Sequence, residues 1–499
     1  MIGKWLMMVL APVFLSAACP DTDVIVIGTD VADYDGKEMI LSGEVAFEHS
    51  MGTIVANQAR IVKEDKKALS LLRLEGDIKV FMWEGGTFRC ACADLSHKEM
   101  SGSFYGDGMQ EYVTYTDNLE DSKGDSVPIV VRGKHMVVNV DQSWTEHSHP
   151  KTHAIGQIIA DNNVTVDYDK EFMAAGDHMI YRRVSAVDSD ALLPGMIDLF
   201  PDEGLQGVCQ VTSRQGDIIK AERIAIDLPK QLVAFNKPKG AIYVTHNEED
   251  LQRVDFSADH LVWNQPADLL TLQDNVALYQ KRLGKLTSTD KVQVCHSVTD
   301  SSRELKWISS SGKTELNYDE NDRGLHHCLI CYGPVFIDPI TCVTRLQSPR
   351  DGDSVQEGKQ VFFSDRKRQI FADSVVLEYA VDQGGMEPKK LVLEGSVRIM
   401  NDSFFDAQYH GNSLQYALAD VVEYFPDTQA MHMYARGDKR VLFYDCLNGV
   451  QISAPAVNVR KDNSSGKKAV EGVGDVRMTF AENEIKTLVD SFDLLKSYW

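Results

Sequence analysis

Beyond its first residues the chain contains no apolar run near the roughly 20 residues that a membrane-spanning helix needs. Helical periodicity is scarce as well. Only Ile485, Leu488, Val489, Phe492 and Leu495 line one side of a helix, over residues 485–495, which excludes a helical bundle. Positive charge is in short supply: 51 Lys and Arg stand against 74 Asp and Glu, a formal charge of -23. A field of that sign repels nucleic acid and anionic membrane surfaces, so no nucleic-acid partner is expected. Catalytic signatures are missing too. With no Gly-x-Ser-x-Gly elbow, P-loop, dinucleotide fingerprint or His-Glu-x-x-His, the chain reads as a scaffold rather than an enzyme. No catalytic residue, cofactor or metal is assigned. Acids abound, and a chance pair of facing carboxylates keeps a glycoside hydrolase as a minor alternative.

The N-terminus carries an address. Lys4, the apolar run Trp5 to Leu15 and the small residues Ser16, Ala17 and Ala18 have the layout of a secretory signal peptide over residues 1–18. Cys19 follows directly. It is either the lipid-bearing cysteine of a bacterial lipobox, for which Leu15 stands one place too early, or the first residue after ordinary cleavage. An exported, periplasmic protein is expected, attached to the outer membrane through Cys19 if that cysteine is acylated. Eight further cysteines (Cys90, Cys92, Cys209, Cys295, Cys328, Cys331, Cys342 and Cys446) are available for pairing in an oxidising compartment, with about 105 possible connectivities.

What the chain has in quantity is alternation. Leu72, Leu74, Gly76, Ile78, Val80 and Met82 fall on one side of a strand, with Arg73, Glu75, Asp77 and Lys79 on the other. Gly156 to Tyr168 and Leu391 to Ile399 repeat the pattern. Period two means strands with one buried face, so an all-β protein with an amphipathic C-terminal helix over 485–499 is predicted. Mid-strand Gly weakens a strand unless a bulge, corner or close approach requires it. Yet Leu-x-Gly-x-Val or Ile recurs at Leu41–Val45, Leu74–Ile78 and Leu393–Val397, with relatives at Ala160–Val164 and Leu272–Val276 that carry Asn or Asp instead. Between copies, Ala56-Asn57, Ala258-Asp259 and Ala372-Asp373 place a small residue and an acid or amide before a hydrophobic strand. Polar seams near 190 and 350 divide the remainder into β units at 19–190, 191–350 and 351–484.

The run Ala32-Asp33-Tyr34-Asp35, Leu41-Ser42-Gly43-Glu44-Val45-Ala46-Phe47 and Ile54-Val55-Ala56-Asn57-Gln58-Ala59-Arg60-Ile61 resembles the OstA-like family. These are the periplasmic β-jellyroll proteins of lipopolysaccharide transport, among them LptA, LptC and the N-terminal part of LptD. Weaker echoes at 156–181, 256–280 and 371–399 extend the likeness. The chain is longer than a single-jellyroll bridge and lacks room for LptD's barrel. The resemblance implies repeated β-jellyroll modules bent like a taco, whose apolar inner face shields acyl chains during outer-membrane biogenesis in a Gram-negative envelope. It also implies partners: lipopolysaccharide or another lipid, and other envelope transport components docked by edge-strand pairing. Each CH₂ left in water costs about 0.8 kcal/mol, so shielding alone removes most of the barrier to crossing an aqueous gap. The expected lining residues are Val45, Phe47, Ile78, Val80, Ile158, Val164, Val166, Val276, Leu278, Val397 and Ile399. For each, the competing assignment is ordinary core between packed sheets. The rival function is a surface-exposed structural or adhesive β-solenoid without lipid.

Two groups of cysteine and histidine invite a metal, and one pair of cysteines a disulfide; all three are read otherwise. His326-His327-Cys328-Leu329-Ile330-Cys331 lies in a strand, where its two thiols point to opposite faces, and no second Cys-x-x-Cys follows. His147, His149 and His153 sit in a polar loop and read as solvated. Cys90 and Cys92 are placed on one strand face, too far apart for an unstrained disulfide.

Overall fold

A computed structural model describes residues 26–480 except 50–51, 63–70, 83–84, 97–100, 109, 121–125, 141–154, 170, 186–191, 203–206, 246–250, 281–283, 299–302, 321–324, 353, 365–367, 383–384, 403–413, 446–449 and 462–467. The expected signal peptide at 1–18, Cys19, the predicted helix at 485–499 and His147, His149 and His153 lie outside the described residues. Within them the protein is all-β: 78% of residues are in strands, no helix occurs, and one large antiparallel sheet takes nearly every strand. A small hairpin, Arg350–Asp351 with Ser354–Val355, stands apart as a second sheet.

The recurring sequence motif marks where strands bend. Pairing jumps from Ser42 to Val45 in the strand Glu38–His49, from Glu75 to Ile78 in Leu71–Met82, and from Glu394 to Val397 in Gly385–Asp402. At each jump the backbone is left-handed: Gly43 has φ 101°, Gly76-Asp77 78° and 41°, Gly395-Ser396 78° and 46°. The relatives bend the same way, Asn162-Asn163 at 65° and 57° and Asp274-Asn275 at 59° and 51°. Asn and Asp tolerate this region better than other side chains do, which explains why they stand in for Gly. Two residues in the bend preserve the alternation, so Leu41 and Val45, or Leu393 and Val397, are buried together.

The second motif makes a second kind of bend. Ala56 and Ala59, Ala258 and Leu261, and Ala372 and Val375 are buried three residues apart, so here the alternation shifts by one. The two kinds lock together on neighbouring strands. Asp30 packs on Gly43 and Asp373 on Gly395 so closely that a Cβ on either glycine would overlap the aspartate; on Gly76 it would stand 2.8 Å from Asn57 Nδ2. Where Asp274 replaces Gly, the next residue of the bend, Asn275, donates its amide to Asp259 Oδ2 at 2.6 Å. The same shift corrects the placement of Cys90 and Cys92. Cys90 pairs with inward Ile78 and is buried, whereas Cys92 pairs with outward Glu75, because the strand bends between them.

Contact density divides the chain into two units. The first takes residues up to 118 with 130–161 and 183–193. In it the long strands Glu38–His49, Gly52–Val62, Leu71–Met82 and Thr87–Ser96 form a meander. Leu41, Leu74, Ile78, Phe88, Phe104 and Met136 fill its interior, and Phe88 stacks on Phe104 at 5.0 Å. Asp117, buried, accepts from the Tyr115 hydroxyl at 2.6 Å and meets Arg183 at 3.4 Å.

The second unit takes 119–129, 162–182 and 194 onward. Here the chain lays one hairpin on one arm of the sheet, passes a bend, and lays the next on the other arm. One arm runs through Ile218–Ala221, Lys239–Thr245, Leu251–Ser257, Val276–Gln280, Gly284–Ser288, Thr314–Glu320 and Leu325–Cys331. The other runs through Arg223–Asp227, Leu232–Asn236, His260–Asn264, Leu269–Gln273, Lys291–Val298, Arg303–Ser310 and Val335–Asp338. Both arms meet on Gly385–Asp402. Backbone bonds tie bend to bend: Lys237 N donates to Asp259 O, Asp259 N to Asp274 O, and Asp274 N to Asp290 O. Strand pairing continues across residues 347–358 through Cys328 with Ser364 and Leu346 with Val375.

One bend carries a pH dependence. Asp420 Oδ2 accepts from Arg436 N at 2.7 Å and Oδ1 from Lys439 Nζ at 3.1 Å. The Arg436 amide chiefly, then Lys439, holds this carboxyl below its ordinary range. A depressed folded value stabilises at pH above the unfolded carboxyl's and loses that contribution as pH falls through the folded one. Asp420→Asn is therefore expected to lower the melting temperature at pH 7, with the gap to wild type closing in acid. Thermal unfolding of both proteins across pH 2–7 measures it; a gap that is constant with pH refutes the assignment.

Candidate functional site

The eleven expected lining residues all lie on the inner side, and all are buried. In the first unit Val45, Phe47, Ile78, Val80 and Ile158 are at most 2% exposed. In the second, Val164, Val166, Val276, Leu278, Val397 and Ile399 range from 0 to 8%. The protein's own side chains cover them, so none presents an open surface.

The open part of the inner face lies elsewhere. From Leu325 onward in the second unit, the apolar cluster grades with distance from the bends. Cys331, Val335, Val361, Ala372, Leu393, Val422, Met433, Ala454 and Val457, next to the bends, are buried. Leu329, Ile337, Ile370, Leu391, Met431 and Val459, each two residues farther toward a rim, are only partly buried. Ile452 and Val450 repeat the step. At the same step Ile399, Ala417, Phe443 and Ile452 stay buried, so the inner face is open at some strands and closed at others. Leu391 was visible in the alternating run 391–399. Leu329 sat unnoticed inside the His-His-Cys-Leu-Ile-Cys segment, although counting inward positions back from Cys331 finds it.

Two polar side chains share this face by cross-strand register: Thr344 pairs with Ile337, and Tyr424 lies between Leu391 and Met431. Cys331, also on it, is held in place by contacts of its Sγ with Gly333 O at 3.5 Å and Gln347 O at 3.4 Å, and burial raises its thiol. Cys328 lies on the opposite face of the strand from Cys331, as its spacing predicts. Seven described cysteines are free, Cys90, Cys92, Cys209, Cys295, Cys328, Cys331 and Cys342; Cys446 is outside the described residues. Burial pushes Cys90 and Cys209 up to about 12, which removes them as nucleophiles at neutral pH. Among the described residues no group of three His, Cys, Asp or Glu is placed to hold a metal. Glu171 is the one described acid whose carboxyl is raised, by burial first and then by Asp169 and Asp268; it sits at a turn, where Gln265 donates to it at 3.2 Å. What the inner face offers is aliphatic surface in contact with water. No protein-family model matches the chain, and no curated protein is significantly similar to it.

Proposed function

We propose that this protein is a periplasmic scaffold that holds the acyl chains of a lipid, lipopolysaccharide first among them, on the inner face of β-jellyroll modules during outer-membrane biogenesis. One observation carries the reading: inward aliphatic side chains from Leu329 to Val459 stay partly exposed between two arms of sheet. Leaving them wet costs free energy in proportion to area, and a guest that covers them recovers it. The guest is hydrocarbon: the cluster is aliphatic, and the Thr344 and Tyr424 hydroxyls in line with it are too few to partner the backbone amides that a polypeptide would bury. Transport components are further candidates for docking by strand addition. Among the described residues Val31–Tyr34 pairs on one side only, with Val31 and Tyr34 exposed, and Arg477–Phe480 pairs with Val450–Ala454, with Met478 exposed.

The test is lipid content. Full-length protein, purified without detergent and extracted for mass spectrometry, is expected to carry lipid and to take up lipopolysaccharide when stripped. A folded protein that arrives empty and stays empty rejects the proposal. That result would favour the structural β-solenoid, a reading supported by the sealed inner face around Val45, Ile78 and Val164.

A further inference from the structure

We infer that the lipid-holding part of the inner face is a compartment with a built end wall, so that acyl chains lodge against residues 325–480 and do not reach the inner strands between 162 and 300. This rests on the lipid-holding reading above and adds where the guest stops.

Two independent features make the wall. The first is at the rims. Lys239–Thr245 and Arg303–Ser310 belong to opposite arms, yet Thr245 pairs with Glu304, the one parallel bridge among the described strand pairings. At this level the arms are tied rim to rim. The second lies beneath that clasp. Gln280, Ser288, His296, Ser310 and Thr314 are all buried, at positions where other levels carry Leu, Ile, Val or Ala. Ser310 Oγ donates to Ser288 Oγ at 3.2 Å and meets Thr314 Oγ1 at 2.7 Å, while Ser288 Oγ donates to Ser311 O at 3.0 Å. Ser288 and Thr314 are partners in one arm and Ser310 stands in the other, across the bend at 311–313 from Thr314, so these hydroxyls knot the two arms together at the bend. An alkyl chain sliding past must part them and has no donor or acceptor to offer in exchange.

Beyond the wall the stack of strands is long enough. One arm continues through Leu325–Cys331, Val361–Ser364, Arg368–Ala372, Gly385–Asp402, Leu414–Phe425, Val441–Asp445, Val450–Ala454 and Arg477–Phe480. At about 4.8 Å per strand step this spans roughly 34 Å, against about 15 Å for one leaflet of a hydrocarbon core. Chains of one lipid fit along the line of bends without crossing the knot.

Photolabelling of the unmodified full-length chain tests this. The protein is incubated with phosphatidylcholine vesicles containing a phospholipid that bears a diazirine in one acyl chain, irradiated, and digested for mass spectrometry. Adducts confined to peptides within 325–480 are expected. Adducts at comparable yield on inner strands such as 164–168 or 254–278 overturn the wall while leaving lipid binding intact. A folded protein with no adducts anywhere removes the lipid-holding reading, and the compartment with it.

Discussion

Leu391→Glu is expected to give a folded protein that no longer retains lipid, whereas Val164→Glu is expected to give one that barely folds. The substitutions are chemically alike and their surroundings are not. Val164 is 0% exposed beside the Asn162-Asn163 bend. A carboxyl there loses its hydration and gains no partner, a cost of about 4 kcal/mol or more, comparable with the net stability of a domain. Leu391 is partly exposed on the graded inner face, so a carboxylate there keeps contact with water and costs about 1–2 kcal/mol. Its effect falls on the guest. A charge in the path of an alkyl chain must be desolvated when the chain seats, at about 2–3 kcal/mol, which is a loss of about 30- to 150-fold in affinity. Circular dichroism separates the two effects from lipid retention. If Leu391→Glu binds lipid as wild type does, the guest is not on that face.

Gly395→Ala is expected to cost about 3–4 kcal/mol, read as a fall in the urea midpoint, against about 1–2 kcal/mol for Gly437→Ala. Both glycines are left-handed, at φ 78° and 63°. A side chain pays about 1–2 kcal/mol for that conformation in either place, and only the second term differs. At Gly437 nothing lies within 4 Å of an added Cβ, while at Gly395 it would overlap Asp373. Asp373 has little freedom to yield: its carboxylate accepts from Gln360 at 2.6 Å, and its amide is bonded to Glu394 O and Gly395 O at 3.0 Å. Equal costs at the two sites would mean that the aspartate-on-glycine lock contributes nothing.

The lock shows how much the sequence revealed and where it stopped. Both of its halves were legible as repeats, Leu-x-Gly-x-Val and Ala-Asx, since left-handed bends admit few residue types. That they are partners was not legible, because Asp373 and Gly395 are joined only when neighbouring strands fall into register. The misplacement of Cys92 has the same root. Counting by two assumes a straight strand, and each one-residue shift at a bend exchanges the faces beyond it.

Alternation and turn chemistry, which act between residues close along the chain, determined by themselves that this protein is all-β, where its strands bend, and, short of a one-residue shift, which residues face inward. Only the tertiary structure decided which inward residues are sealed and which stay wet. Val45 and Val459 carry the same side chain with the same local preferences. Their exposure depends on what packs over each, and those neighbours come from strands far away in sequence.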